Sequence, residues 1–296
     1  MTTMPVTAQA DPLLRPGNTN CAGCGMSIGL QWVGEAFAEN RPYLVIPACC
    51  GIVTAGAFPT TSYGVPTAAA TFASAASVGT GLSVVATLNA ESHPTICWAG
   101  DGGTYDIGIA TISAAAERNE DILYICYDNE IYGNTGGQRS SATPEGAMTT
   151  TTPRGKLQPK KDMMSVMVAH RIPYAATLSV AHREDFMRKL AIAREMKGFR
   201  FLLMLSPCPT GWKSSPDESV DLIDSAVLSG LFPIYEVFDG ERYRINVRPD
   251  GTDLDEYLER QRRYSGADLD VDLLQCRIER QWRYLNVMAE QFPVGD

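Results

Sequence analysis

Short, continuously apolar runs punctuate this chain at residues 43–46, 95–98, 122–127 and 201–205, and each has the length of a strand buried on both faces. Helical candidates lie between and beside them, at 26–39, 68–88, 107–118, 163–170 and 183–196. Alternating strands and helices predict an α/β fold, a mainly parallel sheet with helices on both faces. A polar connection at 132–161 interrupts the alternation, and a connection of that length in a compact domain is usually functional.

After about Ser214 the pattern changes. A helix-like stretch at 222–231 leads into PIYEVFDGERYRINV, a hairpin turning at Asp239–Gly240, and charged helical segments follow at 254–264 and 273–292. The expected division is a cofactor domain over residues 1–213 and an extension over 214–296 that packs on it or on a partner subunit.

Charge and composition narrow the classes. The formal net charge is -9 without a dense Lys/Arg cluster, which argues against a nucleic-acid footprint. The start, MTTMPVTAQADPLL, lacks the basic and apolar blocks of a secretory signal, so the cytoplasm is the expected compartment. Residues 42–90 carry no Asp, Glu, Lys or Arg, yet Pro, Gly, Ser and Thr interrupt them, so no membrane span is expected. The Ala-rich part, 68–90, suits a tightly packed helix, or one at a subunit contact.

Two groups of residues carry chemistry. AGDGGTYDIG (99–108) closes one strand and opens a helix, where Gly100, Gly102 and Gly103 let a phosphate approach the backbone and Asp101 offers a hard oxygen to a divalent cation. Asn129, 28 positions later in YDNEIYGNTGGQ, ends the next strand. Consecutive parallel strands end on one edge, so the two residues converge. A helix-capping Asp and a turn-forming Asn are the plainer alternative.

The second group is made of cysteines. Cys21 and Cys24 form a C-x-x-C within glycine, and Cys49 and Cys208 stand at strand ends. Without a signal peptide, metal or cluster ligation explains these better than disulfides. Zinc would need two more ligands, and His93, His170 and His182 form no suitable pair. Cys97 and Cys126 fall inside strands as core residues, and Cys276 has no assigned role.

Gly-Asp-Gly followed by a strand-ending Asn resembles the diphosphate motif of thiamine-diphosphate enzymes. CAGCG, GDGGTYDIG, YDNEIYGNTGGQRSSATP, TTTTPRGK, QPKKDM and SPCPTGW occur in the order found in the β subunit of pyruvate:ferredoxin oxidoreductases, over about residues 16–238. The resemblance implies thiamine diphosphate, Mg²⁺ and one [4Fe–4S] cluster. It puts Mg²⁺ on the side chains of Asp101 and Asn129 and the carbonyl of Ile131, Asn134 near the thiazolium, and Thr135 near the diphosphate. Cys24 and Gly25 join Gly100, Gly102 and Gly103 beside the cofactor, and the cluster falls to Cys21, Cys24, Cys49 and Cys208, with Cys50 the alternative to Cys49.

The implied reaction is oxidative decarboxylation of a 2-oxoacid, pyruvate first, with coenzyme A, giving acyl-CoA, CO₂ and reduced ferredoxin. Aryl and branched-chain 2-oxoacids, 2-oxoglutarate and oxalate are the other substrates of this class. The resemblance further implies partner subunits carrying the pyrimidine-binding glutamate and further clusters. Where related subunits carry bulky aromatics, this chain has smaller residues apart from Phe58, Tyr63 and Phe72, which predicts a roomier pocket. Two rival readings leave half the motifs idle. A non-redox thiamine-diphosphate decarboxylase or synthase has no use for the cysteines, and a zinc-stabilised assembly subunit has none for Asp101.

Overall fold

Strands β1 (Tyr43–Pro47), β2 (Thr67–Ala70), β3 (Thr95–Gly100), β4 (Leu123–Asp128), β5 (Tyr174–Ser179), β6 (Arg200–Leu205), β7 (Ile234–Phe238) and β8 (Arg242–Val247) form one sheet in the order β2-β1-β3-β4-β6-β5-β7-β8. They are seen in a computed structural model that describes residues 11–56 and 59–295. Phe58 lies outside the described residues, as do the first ten positions of the chain.

Six strands run parallel, β7 pairs antiparallel with β5, and β8 pairs antiparallel with β7. Every residue of β3, β4, β5 and β6 is buried, so both faces are covered, as the unbroken apolar runs require. Helices α3 (Ala75–Leu88) and α4 (Ile109–Glu117) pack on each other, and α3 lies on β1 and β3. Helix α1 (Gly25–Ala36) packs against α6 (Arg183–Glu195), which lies on β5.

The predicted helix over 68–88 is only partly a helix. Residues 67–70 pair with Leu44–Pro47 as the edge strand β2, and the helix starts at Ala75. Alanine is a weak strand former, but the polar turn at Thr71–Ser74, with Ser74 N–H donating to the Thr71 carbonyl, stops any helix from running through. Val84, Val85 and Leu88 of α3 are exposed in this chain. Strand β5, absent from the apolar-run reading, sits between β6 and β7.

The hairpin turns where predicted, with φ 55° at Asp239 and 69° at Gly240, the left-handed pair that suits right-twisted strands. It joins the main sheet through β7 on β5, so residues after 213 extend the same core. Behind it, helix α10 (Val271–Gln291) lies on β8, burying Ile278, Trp282 and Leu285.

Candidate active site

At the carboxyl ends of β3 and β4 a cavity of about 550 Å³ opens, walled by Asp101, Asn129, Ile131, Cys50 and Phe72 among others. Gly100, Gly102, Gly103, Asn134 and Thr135 line it as well. Neighbouring parallel strands deliver these loops to one edge, as the spacing of Asp101 and Asn129 predicts. After β3 the chain makes a π-helical turn over Gly102–Asp106, a form that often marks functional positions.

The glycines serve aromatic rings as much as backbone approach. A Cβ on Gly102 would lie 2.1 Å from the Tyr132 ring, and one on Gly103 would lie 3.3 Å from the ring of Phe72. Tyr132 in turn donates to Asp106 at 2.7 Å, tying the loop after β4 to the turn after β3. Sequence reasoning assigned these glycines to a phosphate alone.

Three oxygen-bearing groups, Asp101 among them, converge at this edge. The end of the Asn129 side chain lies 2.8 Å from Asp101 Oδ1 and 2.9 Å from the Ile131 carbonyl oxygen. With its amide nitrogen there, Asn129 donates to both. With its oxygen there, Asn129 stands from Asp101 and from the Ile131 carbonyl at the spacing of adjacent octahedral ligands around a small hard cation. The donor set fits Mg²⁺: one carboxylate, one amide and one backbone carbonyl, all hard oxygens.

Asp101 is 1% exposed and accepts a short hydrogen bond from Ser140 Oγ. Burial, with Asp128 nearby adding like charge, pushes its carboxyl well above the usual range. Beneath it lies an ionic network, buried except for the partly exposed Lys160, that the sequence pattern does not show. Lys160 Nζ stands 2.6 Å from Asp128 and 2.8 Å from Glu130, and Arg263 Nη2 stands 2.7 Å from the other Glu130 oxygen. Against the upward pull of burial, Lys160 and Arg263 hold the Glu130 carboxyl below its ordinary value.

Three carboxylates thus face two cations, leaving one excess negative charge next to the oxygen triad. Arg263 is more than a hundred residues from Glu130 and Lys160 about thirty from its partners, with no spacing signal for either, so only the fold reveals the network.

The cysteine loops meet on the same edge. Gly25 N–H donates to the Pro207 carbonyl at 3.2 Å, and a Cβ on Gly25 would strike Pro207 at 2.2 Å, so the CAGC loop seats directly on the segment leading to Cys208. Cys24 lies within electrostatic range of Cys21, and Cys208 within range of both. Cys50 lies within electrostatic range of Cys208, Cys49 and Cys24. The Cys49 thiol instead donates to the Pro47 carbonyl at 2.9 Å and meets the Tyr127 hydroxyl. Burial raises the thiols of Cys24, Cys49, Cys50 and Cys208, Cys50 to about 12 and Cys208 to about 11.

Cys21, Cys24, Gly25 and Cys208 are not in the cavity wall, whereas Cys49 and Cys50 both are, and Cys50 points its thiol at Asn134 Oδ1, 3.6 Å away. Thr135 Oγ1 donates to Gln138 at 2.6 Å.

Among the described residues, no three His, Cys, Asp or Glu side chains close into a single-ion metal centre. His93, His170 and His182 bond to the Arg41 carbonyl, Ser113 and Ser179 respectively, away from the thiols. Cys97 and Cys126 are wholly buried in strands, as expected, and Cys276 is exposed. Tyr63, expected near the pocket, is buried and donates to the Gly51 carbonyl, propping α2 (Cys50–Val53) from behind, while Phe72 does wall the cavity.

Residues 49–204 match the family model described as the thiamine pyrophosphate enzyme C-terminal TPP binding domain. The chain is 40% identical over 293 residues to ketoisovalerate oxidoreductase subunit VorB of Pyrococcus abyssi, covering 93% of both chains. It is 39% identical over 261 residues to pyruvate synthase subunit PorB of Methanothermobacter marburgensis, covering 86% of this chain and 90% of that one. In fold it is similar to 2-oxoglutarate:ferredoxin oxidoreductase from Magnetococcus marinus, with TM-score 0.64 and 19% identity over 93% of this chain and 97% of the other.

Proposed function

This chain belongs to the thiamine-pyrophosphate-binding subunit family of the 2-oxoacid:ferredoxin oxidoreductases, and from that premise we propose that it holds thiamine diphosphate, Mg²⁺ and one [4Fe–4S] cluster for the oxidative decarboxylation of a small apolar 2-oxoacid. One observation carries the reading: the Asp101 carboxylate, the end of the Asn129 side chain and the Ile131 carbonyl converge in the same cavity wall as the thiol of Cys50. A diphosphate and its cation belong at such an edge, where Gly102 and Gly103 line the cavity and Asp101 supplies unneutralised charge. Bound thiamine diphosphate would supply the electron sink that lets CO₂ leave, and coenzyme A would take the acyl group.

The chain's own residues bind and orient. Asp101 and Asn129 hold the cation with the Ile131 carbonyl. Asn134 and Thr135, on the loop crossing the cavity, face the cofactor. Cys21, Cys24, Cys208 and Cys50 ligate the cluster, with Cys50 preferred to Cys49 because the Cys49 thiol is spent on the Pro47 carbonyl. A cluster spans several irons, so its thiolates stand farther apart than ligands of one ion.

Among the described residues, Asp101 is the one carboxylate of the cavity wall, and the cation claims it. The carboxylate that activates the cofactor's aminopyrimidine therefore comes from a partner subunit, in keeping with the subunit names of the PorB and VorB relatives. Further partner clusters and ferredoxin would carry the electrons onward. Among the described residues, no helix is long and apolar enough to cross a membrane.

Pyruvate leads as substrate. Ile52, Val53 and Phe72 line the cavity and no Lys or Arg does among the described residues, which disfavours a second substrate carboxylate. The same apolar wall, with Val53 60% exposed, favours a branched-chain 2-oxoacid as the second reading. Anaerobic turnover of the assembled complex against pyruvate, 2-oxoisovalerate and 2-oxoglutarate tests this. Reduction of ferredoxin with the first two and little with the third is expected, and equal kcat/KM for 2-oxoglutarate would overturn it.

A further inference from the structure

Arg263 lies in the C-terminal part of the chain, in a charged stretch with no recognisable motif, yet it is 2% exposed beneath the candidate site. Its guanidinium stands 2.7 Å from Glu130 and 4.2 Å from the centre of the Trp212 ring. Glu130 sits between Asn129 and Ile131, two of the three proposed cation ligands, and its φ of 64° is a left-handed conformation that a non-glycine residue holds only when its surroundings enforce it. Trp212 lies in α7 (Pro209–Trp212), the turn that follows Cys208, and its indole N–H donates to the Asn129 carbonyl at 2.9 Å.

The contacts form a closed circuit. Arg263 grips Glu130, stacks on Trp212, and Trp212 returns to Asn129. The loop after β4 and the loop after β6 are thereby fixed to one planar cation. Arginine suits this because its guanidinium can hold a carboxylate by charge while its face stacks on indole, which a lysine ammonium does less well.

We infer that Arg263 is a positioning residue that sets the cation-ligand loop at Asn129–Ile131 and the Cys208 loop together, so that the geometry of the two cofactor sites is coupled through the C-terminal extension. The inference rests on the proposed cofactor assignment. Partners one shell out from a metal typically change its affinity by about 10–100-fold when removed.

The test uses the assembled oxidoreductase, reconstituted anaerobically with iron, sulfide, thiamine diphosphate and Mg²⁺. Arg263→Met is expected to weaken thiamine diphosphate binding about tenfold or more and to shift the EPR signal of the reduced cluster. Arg263→Lys, which keeps the charge, should recover most of the binding and less of the signal. Trp282→Phe is the control: it also lies in the extension and loses a hydrogen bond, 2.8 Å to the Gly230 carbonyl, remote from both sites. It should lower thermal stability and move neither readout.

If Arg263→Met matches Trp282→Phe, with stability lost and both readouts as in the parent, the residue is merely structural and the inference falls. Should Arg263→Met fail to assemble, Trp212→Phe decides, since it keeps a buried ring and deletes the N–H to Asn129. Unchanged cofactor affinity and cluster signal there would overturn the coupling. A parent complex that holds neither cofactor nor iron would instead overturn the cofactor assignment itself.

Discussion

Replacing Asp101 with Asn should stabilise the cofactor-free chain and abolish its response to cofactor, a reversal that few other roles for the residue would produce. Asp101 is 1% exposed, and the buried network around it carries three carboxylates against Lys160 and Arg263. Its carboxyl is raised by burial first and by Asp128 second. A carboxyl raised on folding lets the unfolded chain lose its proton first. Stability is therefore full below the unfolded value, near 3.9, falls as pH climbs towards the raised folded value, and stays reduced above it.

An amide removes that penalty. Ser140 can still donate to it, and its new NH₂ faces the Asn129 end group 2.8 Å away. Relief of one uncompensated buried charge is worth about 1–2 kcal/mol, or roughly 2–8 °C in a chain of this size. Saturation at a hundred times Kd adds about 2.7 kcal/mol to the parent, so the order of the two proteins should invert on loading.

Thermal unfolding at pH 7, with and without thiamine diphosphate and Mg²⁺, reads both effects. A repeat at pH 4 should shrink the cofactor-free difference. If the cofactor-free variant is less stable than the parent, or gains equally on loading, the cation-site argument is wrong.

The cluster assignment predicts that Cys50→Ser lowers iron and sulfide content and that Cys49→Ser retains both, and metal analysis of the reconstituted complex separates the two cases. Cys276→Ser should change nothing in that analysis. Gly102→Ala drives a methyl into the Tyr132 ring and breaks its bond to Asp106, so about 1–3 kcal/mol of stability should be lost in urea unfolding. Gly81→Ala, with nothing within 4 Å of the added carbon on an exposed face of α3, should instead add about 0.5–1 kcal/mol to the isolated chain. The chain purified alone and loaded with its cofactors should not turn over a 2-oxoacid, and a rate equal to that of the full assembly would refute a site shared with a partner.

What could be read from the sequence follows from what each feature depends on. Strands β1, β3, β4 and β6 are visible because burial on both faces writes an unbroken apolar run. Strand β5, YAATLS, is as buried but carries Thr and Ser, whose hydroxyl needs are met by contacts such as Thr177 to the Pro233 carbonyl, so its run looks broken. Asp101 and Asn129 could be paired because parallel strands translate spacing into position.

The choice between Cys49 and Cys50 could not be made in the same way. Adjacent residues at the start of a helix point in different directions, and only backbone geometry decides which thiol turns to Cys24 and Cys208. Nor could Arg263: its partners Glu130 and Trp212 are brought to it by tertiary packing, and a charge in a polar tail reads as solvated.

The buried network also explains why the site lies where an ordinary core would be cheaper. Lys160, Glu130, Asp128 and Arg263 could be replaced by apolar side chains with little loss, or some gain, in stability. Such a core would also remove Lys160, whose charge draws the Asp101 carboxyl down against burial, and an isolated buried carboxylate neutralises itself by taking up a proton. A protonated Asp101 is a poor cation ligand. Two fixed cations set against three carboxylates leave a net charge of one, enough to draw a divalent cation yet short of what several unpaired carboxylates would cost the fold. Because Arg263 belongs to the extension that completes the sheet through β7 and β8, this balance exists only after the C-terminal part has docked, and cofactor retention should therefore be lost with truncation before Arg263 even where the parallel strands persist.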